Sequence, residues 1–373
     1  MNNLPALAVF RGRVASGLVD VTHDPEALDS EGFWAVVADF EGRLTFARFR
    51  HVRPLVPASQ SGPWHGPGPH QWTSSLDRAS YMAGVEEIRD HIAAGDVYQA
   101  NLCRILSAPV GADADIKALG DRLSARHHAP YAAMIRLPDH GIEVASASPE
   151  LFLRREGQII HSGPIKGTGR TEGDLLEKDH AENVMIVDLV RNDLGRACEI
   201  GSVTVPSLCA VEQHPGLVHL VSTVRGVLGK DTRWGQLLAA AFPPGSVTGA
   251  PKQSALGIIR SLETAPRGPY CGGIGWADAD RRCGELAVGI RTFWIDRAQS
   301  SLSFGTGAGI TWGSDPEREW DETQLKAARL VSIASNGVPS DPDGQHQSTP
   351  DLVQVGGAAQ RGAGKPTVST TQQ

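Results

Sequence analysis

Strand-like and helical patterns follow one another along this chain in mixed runs. The regular strand–helix–strand alternation of a doubly wound parallel sheet is missing, which points to an α+β fold with largely antiparallel sheets. Within residues 1–56, FWAVVADF and RLTFARFR read as strands. From about residue 75 the period changes. Tyr81, Val85, Ile88 and Ile92 recur at steps of four, three and four, one face of a helix that Gly95 suits as a left-handed cap. Strands are expected at YAAMIRL, IEVASASPELFLRR, QIIHSG, LVHLVSTVRGVL, CGGIGWAD, LAVGIRTFWI and SLSFGTGAGITW. A helix is expected over residues 175–196, with Met185, Ile186, Leu189 and Val190 as its core face. A last helix runs from about Glu317 to Ser335.

This divides the chain into a strand-rich segment, 1–74, integrated with the main body at 75–337, and a tail at 338–373. The stretch SGPWHGPGPHQW reads as a boundary loop or flap. The tail is rich in Gly, Pro, Ser, Thr and Gln and has no aromatic residue. It cannot bury enough apolar surface to offset its ordering entropy, so disorder is expected there.

The net charge of -7 argues against a nucleic-acid partner, which calls for a basic stripe. It also means that an anionic substrate needs local cations. No run of about 18 apolar residues marks a membrane span. The N-terminus lacks a charged and then apolar leader. The five cysteines, an odd number without CxxC spacing, suggest free thiols in a reducing cytoplasm.

Several residues have the chemistry of a site, and each also has an ordinary structural reading. Glu319, Glu322 and Lys326 share one helical face; two carboxylates so placed can hold Mg²⁺, or form a solvated charged face. Glu182 is a third acid, or an early-turn residue favoured by the helix dipole. His219 in HLVS is a proton carrier or a satisfied structural histidine. Glu150, before the apolar LFL, is a general acid raised by desolvation, or a strand-end surface acid. Lys166 lies in PIKGT, where Pro164 and Gly167 imply a fixed turn. Its amine is a nucleophile only when neutral; otherwise it is a loop lysine. FPPGSVTGAPK runs into a helical pattern whose first amides can bind an anion, but it is not a Walker A loop. No cysteine lies in the Gly-x-Cys-x-Gly elbow of a glutaminase nucleophile.

Over about residues 75–336 the ordered motifs GDVYQANL, SPELFL, PIKGT, AENVMIVDLVRNDLGR, HLVS, GSVTGAPK, RGPYCGGIGW, GIRT, GAG and DPEREWDET resemble those of the chorismate-utilising enzymes. That family includes anthranilate synthase component I, aminodeoxychorismate synthase component I, and the isochorismate and salicylate synthases. The resemblance implies two stacked sheets flanked by helices, with the active site between the sheets. It implies Mg²⁺ held by Glu182, Glu319 and Glu322. It places Tyr270, Arg291, the Gly307–Ala308–Gly309 backbone and Lys326 around the carboxylates of chorismate. Thr248, Gly249, Ala250 and Thr168 line the substrate. Glu150 matches the acid that assists loss of the C4 hydroxyl, and His219 the active-site histidine.

Two positions discriminate within the family. Gln99 aligns with the lysine that activates water in the isochorismate and salicylate synthases, and an amide is no base. Lys166 follows the PIKGT of aminodeoxychorismate synthases, where anthranilate synthases have PIAGT. The implied reaction makes 4-amino-4-deoxychorismate through a covalent lysine, toward 4-aminobenzoate and folate. Ammonia would come from a separate glutamine amidotransferase subunit. An anthranilate synthase component I, a 2-amino-2-deoxyisochorismate synthase, and a non-catalytic chorismate-binding subunit remain as other outcomes. The chain departs from the family in PIKGTGRT and in Pro244, and no tryptophan-sensing segment is evident.

Overall fold

The computed structural model describes residues 4–55, 62–127, 129–169, 171–175, 177–214 and 217–336. The expected tail, 338–373, lies outside the described residues. Six α-helices are found among them: α1 (Arg78–Ala94), α2 (Ile116–Arg126), α3 (Glu177–Gly195), α4 (Trp234–Ala241), α5 (Lys252–Leu262) and α6 (Pro316–Ala334). Local chemistry sets their ends. The Asp77 carboxylate accepts from Ser80 N at 2.8 Å to start α1, and Gly95 at φ 84° ends it. Asp315 caps α6 in the same way, accepting from Arg318 N at 3.0 Å, with Pro316 in the first turn.

The strands among the described residues join into one antiparallel network. At one end Thr204–His214 pairs with Leu217–Val227, which also carries Ile159–Gly163 and Ile165–Gly169. The ladder continues through Leu151–Glu156, Cys283–Val288, Gly273–Asp278, Phe33–Ala38 and Leu44–Pro54 to Arg13–Thr22. A hairpin leads to Leu7–Phe10. The second half runs through Tyr131–Leu137, Ile142–Ser148, Thr292–Asp296 and Ser301–Ile310 to Gln99–Pro109. Thr73–Ser74 and Gly249–Ala250 pair with that last strand. The α+β class holds, and the two expected sheets are halves of one ribbon joined through its N-terminal hairpin.

Phe33, Ala35 and Val37 of the first half meet Ala133, Ile135 and Val144 of the second in one buried cluster. Helices cover the rest. α3 and α4 lay Ile186, Val190, Leu237 and Leu238 against Phe152, Ile160 and Val224. α2 and α6 bury Leu119, Leu123, Ala327 and Leu330 against Phe293, Leu302 and Phe304. α1 and α5 pack Val85, Ile88 and Ile258 on Leu102 and Ala308. Both α2 and α4 are short helices that the sequence reading missed, as it missed the strand Thr204–His214.

The Trp-containing stretch expected as a flap is pinned where it is described. Trp64 Nε1 donates to Ala334 O at 2.6 Å, and Trp72 Nε1 to Ser335 Oγ at 3.0 Å. Both rings are buried against the end of α6. The five cysteines are free thiols, with Cys103 and Cys271 buried. No helix of the described residues is long and apolar enough to cross a membrane.

Candidate active site

The segment Pro244–Ala250 organises the site. Its middle, Gly245–Val247, is a 3₁₀ turn, and its end, Gly249–Ala250, pairs with Ala100 and Gln99. Asn101 N donates to Thr248 O at 2.7 Å, and Tyr98 N to Ala250 O at 2.7 Å. Thr248, fully buried, turns its hydroxyl back onto Pro244 O and Gly245 O at 3.1 and 3.2 Å. That hydroxyl is spent on fixing the turn. The segment is clamped by Arg267, which donates to Val247 O at 2.8 Å, to Asn101 O at 3.0 Å and to both oxygens of Glu263. Lys252, at its far end, donates to Ala241 O at 2.9 Å and pairs with Asp193 at 2.6 Å.

Lys166 and Glu150 meet on this segment. Lys166 Nζ donates to Ser246 O at 3.4 Å. Glu150 is 4% exposed and shares a small cavity with Ser246, Pro164 and Asp193. Burial pushes its carboxyl up to about 7. The Ser246 hydroxyl, the Lys166 charge and the Ile165 amide pull the other way. A carboxyl in that range is part protonated at neutral pH, which suits a general acid. Its backbone is locked: Val288 N donates to Glu150 O at 3.0 Å, and Glu150 N to Ser148 Oγ at 3.2 Å. IEVASASPELFLRR, read as a single strand segment, breaks at this point into two strands, because Pro149 lacks an amide for the ladder.

Lys166 was expected in a turn. It lies instead in the strand Ile165–Gly169, opposite Leu220, with a register shift between Lys166 and Thr168. Gly167 supplies that bulge at φ 74°, and a Cβ there would lie 2.9 Å from the Asp179 Cβ on α3. Pro164 and Gly167 thus mark a bulged strand, not a loop. His219 is 2% exposed on the neighbouring strand, with its backbone paired to Thr168 and Glu212. The Thr168 side chain lies outside the described part of the structure.

A second group gathers where the strands Gln99–Pro109 and Ser301–Ile310 pair, with Gly307 opposite Cys103 and Gly309 opposite Asn101. Two close approaches explain the first and last glycines of GTGAG. The Tyr270 ring lies over Gly305, where a Cβ would be 2.1 Å from it. The Gln99 amide lies over Gly309 at 2.4 Å from where a Cβ would be. Gln99 is 1% exposed, and its Oε1 has no hydrogen-bond partner among the described residues. Ala308 is buried and turned into the cluster beneath α1 and α5. Lys326 Nζ donates to Gly307 O at 3.0 Å and pairs with Glu322 at 2.7 Å. Arg291 Nη1 stands 3.1 Å from His127 Nε2, and burial holds its guanidinium below its ordinary range. Its carbonyl accepts from Ala147 N at 3.0 Å, near Glu150 in the chain.

Carboxylate oxygens suit Mg²⁺. Glu319, buried, and Glu322 stand a turn apart on α6, while Glu182 is on α3. Among the described residues, no three His, Cys, Asp or Glu side chains are grouped closely enough to hold a metal ion. The sequence reading also missed Ser246, Arg267 and the Asp193–Lys252 pair. Their signal lay in the polar residues within GSVTGAPK, RGPY and RNDLGR.

Known proteins resemble this chain throughout the region of the site. The chorismate binding enzyme family matches residues 41–332. Aminodeoxychorismate synthase component 1 of Salmonella typhimurium is 35% identical over 325 residues, covering 81% of this chain and 69% of that protein. An anthranilate synthase component 1 of Haloarcula marismortui is 39% identical over 277 residues, 71% of this chain but 55% of that protein. The chain thus spans little more than half the length of the latter. Anthranilate synthase component I of Streptococcus pneumoniae superposes with a TM-score of 0.73 at 22% identity, over 89% of this chain and 93% of that one. At that identity the likeness shows the fold. The match spans every residue of the site above, and the chain belongs to the chorismate-binding enzyme family.

Proposed function

We propose that this chain is the chorismate-converting component of an aminodeoxychorismate synthase. The observation that carries the reading is the Lys166 amine held beside the buried Glu150 carboxyl, both against Ser246. In this reading the neutral Lys166 amine attacks C2 of chorismate. The ring double bonds shift, the C4–O bond breaks, and the Glu150 proton leaves with the hydroxyl as water. Ammonia adds at C4, the C2–N bond breaks, and its electron pair returns to Lys166. The Glu150 carboxylate takes the surplus proton from the new amine, giving 4-amino-4-deoxychorismate. Gln99 in place of a basic residue favours ammonia over water as nucleophile. Lys326 and Arg291 are the cations proposed to meet the substrate's carboxylates.

The ammonia is proposed to come from a glutamine amidotransferase subunit, and the product to serve 4-aminobenzoate and folate synthesis in the cytoplasm. Mg²⁺ belongs to the proposal through its carboxylate ligands, and no step above runs through it. The Haloarcula relative favours a second reading, anthranilate synthase component I, in which ammonia attacks C2 directly.

One assay separates the two. The protein is incubated with chorismate, Mg²⁺ and ammonium at alkaline pH, with and without an aminodeoxychorismate lyase. The expected product is 4-aminobenzoate, formed only with lyase. Fluorescent anthranilate without lyase, and no 4-aminobenzoate with it, would refute the assignment. Lys166→Ala is expected to abolish the 4-amino product, and full activity in that variant removes the covalent lysine.

A further inference from the structure

We infer that Ser246 is the positioning residue that holds the Glu150 carboxyl in line with Lys166. The inference rests on the reading of those two residues as acid and nucleophile. Ser246 is 7% exposed and sits where the two groups meet. Its carbonyl accepts from Lys166 Nζ at 3.4 Å, while its side chain lines the same cavity as the Glu150 carboxyl, whose charged form its hydroxyl favours. A single residue thereby stands between a would-be nucleophile and a would-be acid.

The surrounding structure leaves Ser246 little freedom. Val247 O on one side is held by Arg267, and Thr248 closes the turn onto Pro244 and Gly245. Leu189 of α3 packs against Gly245, where a Cβ would be 2.6 Å away. The other charged groups at this cavity are Asp193, which lines it, and its partner Lys252. They satisfy each other at 2.6 Å, so the Ser246 hydroxyl, the Lys166 charge and the Ile165 amide are what offset the burial of Glu150. A hydroxyl donating to an anionic carboxylate is a charge-assisted hydrogen bond, and its removal destabilises the anion.

The test compares wild type with Ser246→Ala and Ser246→Thr. Carbon-13 NMR of glutamate-labelled free protein, with Glu150→Gln to assign the signal, reads the carboxyl titration without turnover. Ser246→Ala is expected to raise the Glu150 midpoint by about one pH unit, and Ser246→Thr to restore it. With chorismate and ammonium, the alkaline limb of kcat/KM should move up with that midpoint. kcat should fall roughly tenfold or more, with little change in the KM for chorismate. If Ser246→Ala does not fold, Ser246→Cys, with its weak donor, takes its place. An unmoved midpoint in the folded variant overturns the inference whatever reaction the chain catalyses. A moved midpoint in a chain that makes no 4-amino product upholds the coupling and refutes the proposed function instead.

Discussion

Replacing Glu150 with glutamine should make the free protein more stable at alkaline pH. The carboxyl is buried, and burial raises it from an ordinary 4.5 to about 7. Between those values the folded chain holds a proton that the unfolded chain has released. Stability therefore falls as pH rises through that window, then levels off above it. A span of about 2.5 pH units at ~1.4 kcal/mol each corresponds to a loss of about 3 kcal/mol. Glutamine has the shape of the neutral acid and no proton to lose. Urea unfolding followed by tryptophan fluorescence at pH 4.5 and pH 8 should thus show the variant gaining about 3 kcal/mol on wild type between the two. Unfolding curves that keep a constant offset at both pH values would refute the argument that Glu150 is desolvated. The same variant should form no 4-amino product, since it has no proton to give the departing hydroxyl.

Arg267→Met should destabilise the fold by about 3–5 kcal/mol in urea unfolding, because Glu263 would stay buried without its partner. A loss below about 1 kcal/mol would show that the clamp on Val247 and Asn101 is dispensable. Chelation of divalent metal should abolish formation of the 4-amino product and added Mg²⁺ restore it. Glu319→Gln should raise the Mg²⁺ needed at least tenfold, and activity indifferent to chelator would remove the metal from the proposal.

Much of the fold was legible because helix and strand periods are local. The face Tyr81, Val85, Ile88 specified α1, and Gly95 its C-terminal end. α4 escaped because WGQLLAAA is only eight residues long, too short for a helical period to repeat. The strand Thr204–His214 escaped because its bulged register, with two shifts, breaks the alternation a reader looks for. In the site, Lys166, Glu150 and Gln99 were visible as chemistry. Ser246 was not, since a serine among glycines and prolines reads as turn composition.

The sequence alone determined the class of fold, the motifs of the family, and which side chains have reactive groups. It could not determine what surrounds them. A carboxyl that ionises near neutrality needs burial by residues distant in sequence, and here Val288, Ser246 and Lys166 come from three separate elements. The lysine's place in a bulged strand depends on α3 pressing against Gly167. Desolvation and alignment are properties of neighbours in space, so only the closing of the ribbon and its helices turned a loop-like lysine and a strand-end acid into a pair.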